Sequence, residues 1–406
     1  AERDGHDFIP QAIEAGAAAY FTQAEPVGGT AIRVADSVAA LQALGRHARS
    51  KLGDATVIGV TGSAGKTSTK DLMASILFSA GNAHASEKSF NNEMGVPLTI
   101  INAPDNTAVL IVEMGTRGAG QIRDLVQIAA PSIGVVTTVG GAHTSEFGSV
   151  EAVAEAKAEM VEDLPAMGWA VLNAEVPLVA AMAERTSAQV VTFGRDAGDV
   201  HATDIVRHAD LTSEFTLVSP WGSASVHLGA RGEHNIVNAC AAAAAALAAG
   251  AGMSSVVLGL VHPELSPLRM ELLTTPAGAT VLTDCYNANP LSVEAALREL
   301  ADLPAERRVA VLGLMAELGD EHEAEHARMA ELAETLEIRV LAVAGAPYAG
   351  ADSVADVDAA VVALADIGAG DAVLIKGSRS VGLETLAPQL LQPSSGLDGG
   401  GDSAAS

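Results

Sequence analysis

Val57-Ile-Gly-Val-Thr-Gly-Ser-Ala-Gly-Lys-Thr-Ser-Thr-Lys-Asp-Leu72 reads as a strand, a glycine loop and the start of a helix. The apolar β-branched run comes first. Gly62 and Gly65 then let the backbone curl so that its N–H groups face a common point. The helix that follows turns its positive N-terminal end to the same point. This is the chemistry of a phosphate cradle. Gly62, Ser63, Ala64, Gly65, Lys66, Thr67 and Ser68 form it, with Lys66 reaching the β- and γ-phosphates and the Thr67 hydroxyl available to Mg²⁺. Val60 stands where the longer form of the loop carries its first glycine, so the form here is the shorter Gly-x-x-Gly-Lys-Thr. The bland alternative is a glycine turn beside a surface lysine, and the strand–loop–helix context weighs against it.

Working outward, further apolar runs recur at 108–112, 133–139, 169–172, 308–312, Arg339–Val343 and 372–375, each followed by a turn and a helical pattern. Continuous apolar strands between helices predict parallel sheets buried on both faces, so the fold class is α/β. The stretch 200–228 alternates more weakly and reads as a small antiparallel excursion. Breaks are expected near 52–54 and within 261–267, where His-Pro-Glu-Leu-Ser-Pro interrupts the helical pattern. Residues 392–406 are rich in Gly, Ser and Asp and read as a disordered tail.

The chain has 406 residues and a formal net charge of −27, which excludes nucleic acid as a general partner and disfavours anionic membrane surfaces. Only 3% of residues are aromatic, so the core must come from Ala, Val, Leu and Ile. Two cysteines, Cys240 and Cys285, rule out a disulfide scaffold and fit a reducing compartment. The first residues are charged, with no apolar export signal, and the longest apolar stretch, 239–253, is short and mostly Ala. A cytoplasmic location and no stable membrane insertion are expected. The absence of an initiator Met suggests a chain that begins inside a longer reading frame.

Three other features bear on metal and phosphate. Glu113 follows the strand at 108–112, at the carboxyl end where open α/β sheets bind ligands, and is either a Mg²⁺ ligand or a solvated strand end. His143 follows the Gly140-Gly141 pair after another strand, either as a metal ligand or as a structural histidine. Lys157 lies on a helix expected from Ser149, an N-cap, to Leu164. It falls on the apolar stripe of Val150, Val153, Met160 and Val161, with Val153 and Val161 one helical turn away on either side. A lysine so placed either snorkels to water or is chemically special.

Taken in order, Thr61-Gly-Ser-Ala-Gly-Lys-Thr, Phe90-Asn-Asn-Glu-Met-Gly-Val-Pro-Leu-Thr, Val112-Glu-Met-Gly and Val139-Gly-Gly-Ala-His resemble the Mur ligases, which join amino acids or dipeptides to the peptidoglycan precursor using ATP. Tyr286-Asn-Ala-Asn-Pro, Leu318-Gly with His326, and Lys376-Gly-Ser-Arg-Ser resemble the branch that adds D-alanyl-D-alanine. The resemblance runs from Arg3 to about Leu383.

It implies a three-domain architecture with a central P-loop parallel-sheet ATPase domain and a Rossmann-like C-terminal domain. The expected parts are a partial N-terminal UDP-substrate domain (1–52), an ATP-binding domain (53–265) and a ligase domain (266–391), with the tail after them. Residue by residue, it implies that Thr67, Glu113, His143 and Lys157 hold metal at two Mg²⁺ sites, with Lys157 carbamylated. Lys66, Lys157 and His143 are then the catalytic set. Asn235 and Asn238 match residues near the nucleotide, and Arg269 and Asp284 match residues by which the C-terminal domain closes on phosphates and ribose. Asn91 and Asn92 match the segment facing the muramoyl peptide, while Asn287, Asn289, Lys376 and Arg379 match the approach to nucleotide and incoming amine. The implied partners are a UDP-muramoyl tripeptide and D-alanyl-D-alanine, the implied chemistry runs through an acyl phosphate, and the implied state is a monomer.

Taken singly, the second group has plain alternatives: Asn287 and Asn289 before Pro290 suit any turn, and Asn235 suits a helix cap. The chain departs from the family pattern at Leu314, Thr138 and Gly141, where Asp, Asn and Pro are usual, and it opens after the segment that helps hold the UDP end. The rival readings are another amino-acid ligase of the same family and a nucleotide-binding homologue without catalysis.

Overall fold

A computed structural model describes residues 4–140 and 147–392. The strand that opens the phosphate loop, β1 (Thr56–Thr61), sits inside a six-stranded sheet. Its companions are β2 (Ala83–Ala85), β3 (Val109–Glu113), β4 (Ile133–Val136), β5 (Trp169–Asn173) and β6 (Gln189–Phe193). The order is β2-β3-β1-β4-β5-β6, and every pairing is parallel. Parallel strands need crossovers, and the helices supply them on both faces. Ile58, Val60, Ile111, Val135 and Val171 pack against α2 (Lys66–Ala80) and the Ala-rich α6 (His234–Ala248). Val57, Leu110, Val112, Val136 and Leu172 face the other way, towards α3 (Gly95–Ile101), α4 (Gln121–Ala129) and α5 (Val150–Glu162).

The scarcity of aromatics is met by small side chains. Ala239 and Ala241 to Ala246 are completely buried, so α6 can lie close against its neighbours. The excursion at 200–228 is a three-stranded sheet of β7 (His201–Arg207), β8 (Ser213–Ser219) and β9 (Gly222–Leu228), with β8 and β9 antiparallel. Phe215, Leu217, Val226 and Leu228 bury its inner face in the same core as α6 and α7 (Met253–Val261). Near the start, α1 (Ser37–Lys51) is capped by the Asp36 carboxylate and held by Arg49 Nε donating to the Ala129 carbonyl at 3.0 Å.

Contacts divide the chain into two compact units. Among the described residues, the first comprises 4–140, 147–206, 213–230 and 234–266; the second comprises 207–212, 231–233 and 267–392. The second holds another six-stranded sheet, built from β10 (Glu271–Thr274), β11 (Thr280–Thr283), β12 (Arg307–Leu312), β13 (Arg339–Val343), β14 (Asp352–Val354) and β15 (Asp371–Lys376). The order is β10-β11-β15-β12-β13-β14, parallel except for the β10 edge. Helices α8 (Pro290–Asp302) and α9 (His322–Thr335) cover one face, while α10 (Val357–Ala363) lies on the other. Among the described residues no helix is long and apolar enough to cross a membrane.

The expected strand at 133–139 ends sooner, at Val136. Thr137 to Gly140 leave the sheet because their polar groups are taken up by the phosphate loop: Ser63 N–H donates to the Thr138 carbonyl at 2.8 Å, and Thr137 Oγ1 donates to the Ala64 carbonyl at 2.6 Å. The edge strands β2, β6 and β14 were not among those read from sequence.

Candidate active site

Two glycines in the left-handed region shape the loop between β1 and α2: Gly62 has φ +152° and Gly65 φ +80°. A Cβ on Gly62 would stand 1.9 Å from Thr137 Oγ1, and one on Gly65 would stand 2.5 Å from Asn238 Oδ1. The loop is braced from both sides. Gly140 N–H donates to Ser63 Oγ at 3.1 Å. Asn238, buried on α6, accepts from Thr69 Oγ1 at 3.3 Å and donates to Asn235 Oδ1 at 2.8 Å. Asn235 and Asn238 therefore come together beside the loop. Lys66 Nζ donates to the Gly62 carbonyl at 2.6 Å, so its ammonium lies over the loop, and Thr67 follows it as the second residue of α2.

Glu113 ends β3 with its side chain 1% exposed. Its Oε1 accepts from Asn91 Nδ2 at 2.8 Å, its N–H donates to Ser86 Oγ at 3.1 Å, and its Oε2 is buried without a hydrogen bond. A buried carboxylate oxygen in that state calls for a donor or a cation.

Lys157 is equally unusual. It sits on α5, capped by Ser149, and is 2% exposed. It makes no hydrogen bond or ion pair among the described residues. Burial, with the charge of Lys66 adding to it, pushes its amine well below the ordinary lysine range. It has not snorkelled. Burial that favours its uncharged form makes this amine, beside the phosphate loop, a nucleophile suited to taking up CO₂. His143 lies outside the described residues.

Other expected substrate residues already have structural work. Asn91 orients Glu113. Asn92 Oδ1 accepts from Gly95 N–H at 2.8 Å at the start of α3. In the second unit Asn289 is the N-cap of α8, in a capping box with Ser292. Lys376 is 1% exposed and binds the Asp284 carboxylate together with the carbonyls of Asp284 and Asn287, each at 3.1 Å. Arg269 and Arg379 both approach the Tyr286 ring, at 4.5 Å and 5.5 Å from its centroid. These two cations and Tyr286 thus form one cluster in the second unit.

Sequence reasoning passed over Thr137, Ser86 and the adjacent pair Lys70–Asp71. The signal available for the pair was two charges in the middle of a helix whose residues from Thr67 to Ala74 are all buried.

Residues 60–246 match the Mur ligase middle domain, and residues 268–379 match the Mur ligase glutamate ligase domain. The chain is 41% identical to a protein of Mycobacterium tuberculosis named UDP-N-acetylmuramoyl-tripeptide–D-alanyl-D-alanine ligase, covering 96% of this chain and 88% of that one. Among solved structures, MurF from Acinetobacter baumannii superposes with a TM-score of 0.87 at 30% identity, over 96% of this chain and 88% of that one. MurF from Thermotoga maritima in complex with ADP gives 0.83 at 28% identity, over 95% and 91%. Two matching domains in the expected order, and relatives similar over nearly their whole length, establish that the chain belongs to the Mur ligase family.

Proposed function

We propose that this chain is an ATP-dependent ligase that joins D-alanyl-D-alanine to UDP-N-acetylmuramoyl-tripeptide. The observation that carries the reading is 41% identity, across 96% of the chain, to a ligase named for that reaction. The braced phosphate loop and the buried Glu113 support it.

A carboxylate resists attack by an amine at neutral pH. Phosphoryl transfer from ATP turns the tripeptide carboxylate into an acyl phosphate and releases ADP; the dipeptide amine then attacks, and phosphate leaves. Lys66 and the loop N–H groups offset charge spreading over the transferring phosphoryl group. Asn235 and Asn238 hold the loop from the side. The buried Glu113 Oε2 and the unpaired Lys157 amine fit a divalent-cation site, with Thr67, Glu113, His143 and carbamylated Lys157 as its ligands. Carbamylation joins the uncharged lysine nitrogen to CO₂ and releases one proton, turning a buried amine into an anion. Mg²⁺ bound there would supply further neutralisation of phosphate charge.

In the second unit, Arg269 and Arg379 offer paired guanidinium groups to anionic substrate groups, with Asp284, Asn287, Asn289 and Lys376 shaping the loop around Tyr286. In the N-terminal unit, Asn91 and Asn92 belong to the segment assigned to the muramoyl peptide. The division of labour assigned here is 1–52 for the UDP substrate, 53–265 for ATP and 266–391 for ligation, in a cytoplasmic monomer.

The test is phosphate release from Mg·ATP with the muramoyl tripeptide nucleotide and D-alanyl-D-alanine added singly and together. Release that needs both and is lost in Lys66→Ala supports the ligase. ATP binding without release under any combination overturns it.

A further inference from the structure

Lys70 lies one helical turn beyond Lys66 on α2 and is 3% exposed. Its ammonium donates to the Ser86 carbonyl at 2.8 Å and to the Lys88 carbonyl at 3.1 Å, and pairs with Asp71 Oδ1 at 2.8 Å. Two of these acceptors belong to the loop after β2, and Lys88 there holds a left-handed backbone with φ +49°. A side-chain ammonium on its carbonyl stabilises a conformation that a lysine seldom adopts.

The same loop controls Glu113. Ser86 Oγ receives the Glu113 N–H at 3.1 Å and the Thr99 hydroxyl at 3.3 Å. Asn91, five residues on, orients the Glu113 carboxylate. Asp71 completes the arrangement on its other side, where Oδ2 accepts from Ser266 N–H at 2.7 Å. The neighbouring Ser75 Oγ accepts from Glu264 N–H at 3.0 Å. The helix that starts at the phosphate loop therefore grips both the loop that aims Glu113 and the segment leading to Pro267.

We infer that Lys70 is a positioning residue for the ligase site: through the carbonyls of Ser86 and Lys88 it registers the Glu113 carboxylate against the phosphate loop. This rests on the ligase reading above. A buried ion pair has a plain structural role as well, and the two roles separate in a pair of variants. Lys70→Met leaves Asp71 buried without its cation, so it lowers the melting temperature. Adding Asp71→Asn removes that charge and retains an acceptor for Ser266 N–H, so the melting temperature recovers. The carbonyls of Ser86 and Lys88 stay unheld in both.

The measurement is the Mg²⁺ dependence of ATP binding by calorimetry, alongside substrate-dependent phosphate release, for wild type, Lys70→Met and Lys70→Met/Asp71→Asn. The expected result is at least a ten-fold rise in the Mg²⁺ concentration needed for half-maximal effect in both variants, persisting in the double variant after its stability has returned. Wild-type Mg²⁺ dependence in the single variant, or its recovery together with the melting temperature in the double, overturns the inference. A wild type that binds Mg·ATP and releases no phosphate defeats the ligase reading instead, and the calorimetric comparison still decides the role of Lys70.

Discussion

Asn91 Nδ2 donates to Glu113 Oε1 at 2.8 Å, which leaves the other carboxylate oxygen of Glu113 buried and unbonded. The amide fixes the carboxylate plane and thereby the direction of its free oxygen. Asn91→Leu is expected to raise the half-saturating Mg²⁺ concentration about ten-fold, in the range usual for a lost partner of a metal ligand. ATP binding without Mg²⁺ should not change. If Asn91 works by touching the muramoyl peptide, the KM for that substrate rises and the Mg²⁺ curve stays where it was. Metal titrations at fixed substrate separate the two.

Gly62→Ala tests how tightly the loop is shaped. The new Cβ would meet Thr137 Oγ1 at 1.9 Å and the Thr138 nitrogen at 3.1 Å, and φ +152° resists any side chain. Thr137 has nowhere to go, because its hydroxyl bonds the Ala64 carbonyl inside the same loop. The loop must therefore open. ATP affinity should fall by about two orders of magnitude while far-ultraviolet circular dichroism stays native, since an N–H cradle loses several directed bonds at once. Wild-type affinity in calorimetry would contradict this geometry.

These contacts mark where sequence reading ended. The phosphate loop was legible because glycine spacing, strand composition and the lysine all carry local signals. Lys157 was legible as an anomaly because helical spacing sets it among Val153, Met160 and Val161. Lys70 was not, since two of its partners are backbone carbonyls of Ser86 and Lys88, and no residue type encodes a carbonyl. Lys376 was legible as a motif, but its burial comes from strand pairing across β15, β11 and β12, which spacing does not reveal. Short edge strands such as Ala83–Ala85 lack both length and an apolar pattern, and only pairing with β3 makes them strands.

Stability of the second unit should depend on pH through His326. The ring is fully buried on α9. Its Nε2 accepts from Met315 N–H at 3.0 Å, and its Nδ1 lies 2.6 Å from the His322 carbonyl and so carries the proton. The rings of His322 and Tyr348 face it at 4.4 Å and 4.9 Å, and Glu325 acts weakly in the opposite sense. Burial pushes the imidazole below its ordinary value of 6.5. The unfolded chain therefore takes up a proton first as pH falls, so stability is full above 6.5 and declines between there and the folded pKa. The slope reaches at most about 1.4 kcal/mol per pH unit. His326→Gln should flatten it in denaturant titrations from pH 7 to pH 5. An unchanged slope would assign the acid sensitivity to other groups.

Lys376 tests whether a buried motif cation serves substrate or loop. Its ammonium is consumed by the Asp284 carboxylate and by the carbonyls of Asp284 and Asn287. That arrangement holds the turn carrying Tyr286, against which Arg269 and Arg379 pack, and delivers Asn289 to cap α8. Removing the ammonium leaves a mostly buried carboxylate unpaired, so Lys376→Met should lower stability by about 2–3 kcal/mol. Adding Asp284→Asn should restore most of that by removing the orphaned charge. If Lys376 acts through the loop, the single variant also loses kcat/KM for both ATP and D-alanyl-D-alanine, because both guanidinium groups shift with Tyr286. If instead its ammonium leaves Asp284 to meet substrate, the single variant keeps its melting temperature and loses only turnover. Urea titration and initial-rate kinetics on the same two variants distinguish a lysine that builds the loop from one that reaches out of it.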